Sequence, residues 1–305
     1  MRYKPKPKGS LLAALDIGSS KIACFIARVS DDEGHFEILG IGHHASAGIK
    51  SGTIIDLEAA EAAVRHTVHA AENMAAEAVK SFPLREVIVN VPGIHAKSHN
   101  FSVDIDVAGQ EVTDNDVRRA LVKAQEHTVT GDLELIHTIP TGFSIDGQNS
   151  IRDPRGMFGG KLEVDIHLVT GETTRLRNIA TCIERSHLDI AALCLSGYAA
   201  GLACLVEDEM DLGCTVVDMG GGVTSIAVFQ GGNLVYSDAI PVGGNHVTSD
   251  VAQGLTTSLA DAERIKTLYG SAMASGTDEA ELIDVPLVGE DSLHQPHHVP
   301  RSLLV

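Results

Sequence analysis

No run of 18 apolar residues occurs in the 305-residue chain, which excludes a bilayer-spanning helix on hydropathy grounds. No C-x-x-C pair occurs either. The five cysteines, at positions 24, 182, 194, 204 and 214, match no metal-ligand spacing. Four of them fall in apolar or helical patterns, so free thiols in a reducing compartment are expected. Basic residues are scarce: 23 Lys and Arg stand against 41 Asp and Glu, a formal net charge of −18. Phosphate backbones require basic patches, so nucleic acid is not an expected partner. No signal-peptide pattern precedes Leu11, and the chain reads as cytosolic.

The scarcity of positive charge has one exception. The N-terminal MRYKPKPKGS interleaves Arg2, Lys4, Lys6 and Lys8 with prolines that forbid helix and strand. Residues 1–10 are expected to be a disordered basic tail. The sharper alternative is weak attraction to anionic lipid, about 1 kcal/mol per basic residue near a surface.

What is present is an ordinary globular balance, 44% apolar and 21% charged, with length enough for two medium domains. Residues 11–29 (LLAALDIGSSKIACFIARV) predict strand, Asp-x-Gly turn, strand, and FEILGIG (36–42) a third strand. Residues 57–79 predict an amphipathic helix rich in alanine, followed by Pro83. Its small apolar stripe suits core packing rather than membrane. Strands are expected at 86–93, 100–107 and 133–140 with a helix at 113–127, and turn-rich IRDPRGM closes this segment. Residues 84–156 therefore read as an inserted subdomain. The main pattern resumes with a strand at 161–170, a helix to Arg185, a strand at 187–194 and a helix to about Glu207. Strands GCTVVDM, VTSIAVF and LVYSDAI follow, then helices at 245–254 and from Ser258 to Gly270. Beyond 271 the sequence reads as loop, and the chain is expected to be cut short. His66 and His69 lie i, i+3 on one helix, with no third ligand evident; a solvated face is expected. His43, His44, His294, His297 and His298 are expected at the surface.

The chemistry concentrates in two turns. Asp16-Ile17-Gly18-Ser19-Ser20 and Asp218-Met219-Gly220-Gly221-Gly222 occupy equivalent places 202 positions apart (16 to 218), an internal repeat. A tight turn between antiparallel strands aims backbone N–H groups into one concavity and makes an anion nest. Glycine permits close approach to phosphate, serine adds hydroxyl donors, and Lys21 offsets phosphate charge. Asp16 and Asp218 are placed to hold Mg²⁺ through its water shell. Neither turn is a P-loop, since G-x-x-x-x-G-K-[ST] is absent. Neither is a Rossmann fingerprint, since a strand follows each. Two such loops facing each other would clamp a triphosphate.

LDIGSSK and VVDMGGGVTSIAVF together resemble the two phosphate motifs of the actin, Hsp70 and sugar-kinase superfamily. IPVGGNHVTSDVA (240–252) resembles its Gly-Gly helix start, and DAERIK (261–266) its nucleoside-contacting helix. Within the superfamily the chain is most similar to the FtsA family, actin-like bacterial division proteins, over nearly all of residues 11–305. The similarity runs through GIKSGTIIDLEAAEAAV, VNVPGIHAKS, HTIPTGFSID, GGNHVTSDVAQGL and SLADAERIK. The insertion near 84–156 separates it from Hsp70 and MreB.

This resemblance implies an α/β fold of duplicated actin-like (ribonuclease H-like) domains with an inserted α+β subdomain. The first domain would comprise 11–83 and 157–195, and the second, incomplete, 196–305. ATP and Mg would bind at Asp16, Gly18, Ser19, Ser20, Lys21, Asp218, Gly220, Gly221 and Gly222. Gly243 and Gly244 would join them, with Glu263 and Lys266 against ribose and base. The resemblance also implies an adaptor in cell division and septum formation, cytoplasmic and at the inner face of the membrane. It would recruit the FtsZ C-terminal tail through the part after about Pro241, polymerise head to tail, and meet other divisome proteins through the inserted subdomain. Its membrane helix and the later adenosine motif would lie beyond Val305. No catalytic residue is assigned. Ser196 occupies the place where hydrolysing relatives orient water with Glu or Gln, so at most slow ATPase activity is expected. The rivals are a small-molecule kinase of the superfamily, needing a carboxylate base, and a pilus-assembly scaffold related to FtsA.

Overall fold

Alternating apolar residues bury one face of a strand, and the first strand obeys. In β1 (Leu11–Ile17), Ala13, Leu15 and Ile17 are buried while Ala14 and Asp16 lie on the opposite face of the strand. The computed structural model describes residues 7–31, 34–81, 84–128, 131–288 and 297–305. Most of the expected basic tail, Pro83 and His294 lie outside them. β2 (Lys21–Val29) and β3 (Phe36–Ala45) continue the antiparallel meander. The short strands β4 (Ile49–Lys50) and β5 (Thr53–Ile54) form a small hairpin.

Asp56 caps α1 (Leu57–Met74), its carboxylate accepting from the Glu58 and Ala59 N–H groups. The buried stripe Ala60, Ala63, Val64, Thr67, Val68 and Ala71 packs on the sheet. Small residues let the helix come close. A Cβ on Gly40 or Gly42 of β3 would lie 2.2 or 2.0 Å from the Ala71 or Thr67 carbonyl. The expected continuous helix to Val79 is instead broken at Ala75, with α2 (Ala76–Ser81) beyond it.

β6 (Glu86–Val91) leads through a 3-10 turn (Gly93–His95) to β7 (Ala96–Asp106), α3 (Asp114–Thr128), β8 (Leu133–Ile145), β9 (Gln148–Ile151) and β10 (Lys161–Glu172). Then come α4 (Thr173–Arg185) and β11 (Asp189–Leu195). Pairing corrects the expected boundaries. β6 runs parallel to β1 and β11 in a sheet ordered β11-β6-β1-β2-β3. β10 is held on both sides by β7 and β8, in a second sheet ordered β7-β10-β8-β9. The segment expected at 84–156 therefore loses its first strand to the main sheet and gains β10. The inserted subdomain runs from about Gly93 to Glu172, with α3 closing its own apolar core.

After α5 (Ser196–Cys204) and α6 (Glu207–Leu212), a third sheet forms from β12 (Cys214–Met219), β13 (Thr224–Gln230) and β14 (Asn233–Ile240). It repeats the first meander in register. Ile17 pairs with Ile22 and Met219 with Thr224; Leu12 pairs with Ala27 and Cys214 with Phe229. Even the irregularity recurs. Between Ile26 and Ala27 the third strand carries an extra residue, and between Val228 and Phe229 it does so again.

The chain divides into two compact units, Met1–Pro241 and Val242–Val305. The β12–β14 sheet packs with α5, β7 and β8 inside the first unit. The second unit comprises α7 (Gly244–Leu255), α8 (Leu259–Tyr269) and a pair that was expected as loop, β15 (Leu282–Val285) with β16 (His297–Pro300). A 3-10 turn, Arg301–Leu304, follows. Ser258 caps α8 as its sequence predicts, accepting from the Asp261 N–H. Arg301 ties the hairpin to Asp278, Glu281 and the Tyr269 carbonyl. No helix among the described residues is long and apolar enough to cross a membrane. The five cysteines are free, and burial pushes the Cys24 and Cys182 thiols up to about 12 and about 11.

Candidate functional site

Both acidic turns are closed by the same bond. Gly18 N–H donates to the Lys21 carbonyl at 3.0 Å, and Gly220 N–H to the Val223 carbonyl at 2.9 Å. A Cβ would press on the accepting oxygen in each case, at 2.7 and 3.1 Å, so glycine is the residue the turn accommodates.

The turns then meet. A Cβ on Gly222 would lie 2.7 Å from Ser19 Oγ and 2.9 Å from Ser51 Cα. Between them opens a cleft of about 440 Å³, lined by Asp16, Gly18, Ser19, Ser20, Lys21, Asp218, Gly220, Gly221 and Gly222. Nine of the predicted site residues are thus brought together within the first unit. Among the described residues, the N–H groups of Ser19, Ser20, Gly221 and Gly222 have no protein acceptor, which leaves unpaired donors on residues that line the cleft.

The cleft's electrostatics are set by its carboxylates. Enclosure by protein raises the Asp16 pKa above the ordinary carboxylate value; the charge of Asp218 adds to this, and Lys21 opposes it. A carboxylate whose ionisation is disfavoured, set beside a second carboxylate, is a donor set that a divalent cation would relieve.

Several lining residues carried no local signal. Asn90, a polar side chain in the apolar run EVIVNV, accepts from Ile17 N–H at 2.7 Å and donates to Ser196 Oγ at 3.2 Å. Ser196 in turn donates to the Val91 carbonyl at 3.1 Å. Gly52, Pro92, Val223 and Ser225 complete the wall.

The other four predicted residues belong to the second unit. Gly243 precedes α7, its N–H donating to His246 Nδ1 at 3.1 Å. Lys266 reaches Glu263 at 2.6 Å, the Thr248 hydroxyl at 2.8 Å and the Gly244 carbonyl at 3.3 Å. These bonds knit α7 to α8, and the Lys266 and Thr248 donors hold the Glu263 carboxyl below its ordinary range. His66 and His69 are exposed as expected, His66 stacking on His44. Among the described residues, no group of three or more side chains is arranged to hold a metal.

The arrangement has known counterparts. Residues 215–305 match the family model for cell division protein FtsA, and residues 93–170 match the SHS2 domain inserted in FtsA. Cell division protein FtsA of Rhizobium meliloti (strain 1021) is 44% identical over 314 residues, covering 99% of this chain and 70% of the relative. The chain belongs to the FtsA family. FtsA of Bacillus subtilis (strain 168) is 38% identical over 92% of the chain and 62% of its own length, and that of Escherichia coli (strain K12) 35% identical over 92% and 65%.

Among solved structures, the PilM-PilN type IV pilus biogenesis complex aligns with a TM-score of 0.60 at 15% identity, over 85% of this chain and 70% of that one. MreB5 of Spiroplasma citri bound to ADP aligns with a TM-score of 0.50 at 15% identity, over 98% and 74%. At such identities the likeness establishes the fold alone. It is the actin-like α/β fold that the FtsA resemblance implied, with the SHS2 insertion in place. The matched SHS2 segment, 93–170, agrees with the boundaries drawn from strand pairing.

Proposed function

We propose that this FtsA-family chain is an ATP-binding division adaptor whose cleft takes the nucleotide phosphates between its two turns. The observation that carries this reading is the meeting of two turns of identical register, with unpaired N–H donors, at Gly222 and Ser19. Lys21 would offset phosphate charge, and the serine hydroxyls would donate to phosphate oxygens. Asp16 and Asp218 would hold Mg²⁺ through its waters, and the ion would screen the phosphates. The ADP held by MreB5, which shares the fold, supports a nucleotide in this one. Turnover would be slow at most, because the Ser196 proton is already engaged by the Val91 carbonyl and its oxygen by Asn90. That leaves Ser196 poorly placed to orient water.

As an FtsA-family adaptor, the protein would act in the cytoplasm at the membrane, bind the FtsZ C-terminal tail through its second unit, and self-associate into filaments. Other divisome proteins would meet it at the inserted subdomain. The test is titration of the chain with Mg-ATP. Asp218→Ala and Lys21→Ala should weaken binding about tenfold or more without unfolding the protein; undiminished affinity would sink the assigned cleft. Titration with an FtsZ C-terminal peptide checks the partner, and absence of binding would remove it.

A further inference from the structure

One buried histidine ties the inserted subdomain to the first turn. Ser51 and Gly52, at the tip of the β4–β5 hairpin, have φ of 46° and 73°. Gly52 is closely enclosed: a Cβ there would lie 3.0 Å from both Pro92 and Val223. Its N–H donates to Ser19 Oγ at 2.8 Å, and its carbonyl accepts from His95 Nε2 at 3.1 Å. His95, 7% exposed, ends the 3-10 turn that opens the inserted subdomain.

The roles of donor and acceptor follow from chemistry. A carbonyl only accepts, so His95 carries its proton on Nε2; the Thr53 hydroxyl, also 3.1 Å from that nitrogen, then accepts a share of the same proton. The Gly52 N–H only donates, so it occupies a lone pair of the Ser19 hydroxyl and leaves the Ser19 O–H free to donate elsewhere. Ser19 and Gly52 both line the cleft.

We propose that His95 is a positioning residue for the phosphate loop. By fixing the Gly52 peptide it sets the Ser19 hydroxyl as a donor toward a bound phosphate, and it makes the first turn of the inserted subdomain respond to the filling of the cleft. The proposal rests on the nucleotide reading above. Linkage makes the effect reciprocal: whatever factor a seated His95 adds to phosphate affinity, bound phosphate returns to the seating of His95.

Hydrogen exchange on the 305-residue chain with and without Mg-ATP reads the response directly. Amides of 51–53 and 93–96 should exchange about threefold or more slowly with nucleotide; unchanged exchange at 93–96 overturns the proposal. His95→Leu removes the donor and should raise the Kd for Mg-ATP about tenfold. His95→Gln, whose amide can donate from a similar place, should restore most of the affinity. Wild-type affinity in a folded His95→Leu protein overturns the positioning role, as does an equal loss in both variants. Should His95→Leu fail to fold, the exchange experiment and His95→Gln decide. A wild-type chain that fails to bind Mg-ATP overturns the nucleotide reading and this proposal together. Binding by the wild type without either His95 response overturns this proposal alone.

Discussion

The β1–β2 and β12–β13 hairpins share a register and a turn bond, and the third strand beside each carries the same bulge, yet they equip the cleft differently. After its aspartate the first turn offers Ser19, Ser20 and Lys21, which bring hydroxyls and charge. The second offers Gly221, Gly222 and Val223, which bring proximity, since Gly222 closes on Ser19. The covering helices divide the work in a similar way. α1 approaches the first sheet over glycines on the strand, Gly40 and Gly42. On the second sheet the glycine is on the helix, where a Cβ at Gly201 of α5 would lie 2.3 Å from the Phe229 ring. The repeat keeps its backbone while the residue that makes room moves from one partner to the other.

That difference is testable by filling the gaps. Gly42→Ala should be the most damaging change, because its Cβ meets the Thr67 carbonyl and the Ala71 nitrogen, both backbone. We expect a loss of about 3 kcal/mol or more in urea unfolding. Gly201→Ala meets a ring, which can tilt, and should cost about 1–3 kcal/mol. The reverse order would mean that the second sheet, not the first, has the less yielding packing.

Exchanging the turns comes next. Ser20 and Gly222 are equivalent positions, but only Gly222 is buried against the opposite turn. Gly222→Ser should cost about 1–3 kcal/mol of stability and about tenfold or more in Mg-ATP affinity, whereas Ser20→Gly should leave stability within about 0.5 kcal/mol. Equal effects in calorimetry would show that the two turns are interchangeable after all.

These positions also mark how far the sequence could be read. Both turns and the longer strands and helices were legible, because period-2 burial and Asp-x-Gly are local signals; the short strands β4, β5 and β9 and the helix α6 were not. Sheet membership was not: VIVNV and LEVDIHLV alternate in the same way, and only pairing assigns one to each sheet. The β15–β16 pair was missed because two four-residue strands lie far apart, one of them reading HHVP. Asn90 and His95 announce nothing locally, since their roles arise from partners at Ile17, Ser196 and Gly52. The helix break at Ala75 falls within an alanine-rich stretch that has no breaker residue.

The third strands supply a further contrast. β3 carries exposed His43 and His44, while β14 faces buried histidine chemistry. The Ser237 and Ser98 hydroxyls bond at 3.1 Å, Ser98 lies 3.2 Å from His167 Nε2, and His167 Nδ1 lies 2.7 Å from Asn100 Oδ1. Nearby, Leu195 N–H donates to His137 Nε2 at 3.0 Å. Burial pushes both His137 and His167 down to about 4, with the facing His137 and His99 adding to the effect at His167. Their folded values lie below the unfolded value near 6.5, so the stability they contribute is complete above about pH 6.5. It is lost as pH falls toward about 4, by about 1.4 kcal/mol per pH unit for each histidine. His167→Asn should remove about half of that slope from pH-dependent unfolding. An unchanged slope would assign the acid sensitivity to other groups.

The smallest expected effect lies between the paired aspartates. The Asp16 pKa is raised first by enclosure and then by the charge of Asp218. A carboxyl raised in the fold contributes stability that is present below its unfolded pKa and lost as pH rises through its folded one. At neutral pH its ionisation therefore opposes folding of the nucleotide-free protein, and Asp16→Asn should raise the Tm slightly while weakening Mg-dependent binding. Carboxyl carbon NMR separates the causes. The Asp16 midpoint should fall in Asp218→Asn yet stay above the ordinary value of 3.8, because enclosure remains. It should rise in Lys21→Ala, which removes the opposing charge. If Asp218→Asn returned Asp16 fully to the ordinary value, charge and not enclosure would dominate. The first turn would then differ from the second only in the side chains it carries.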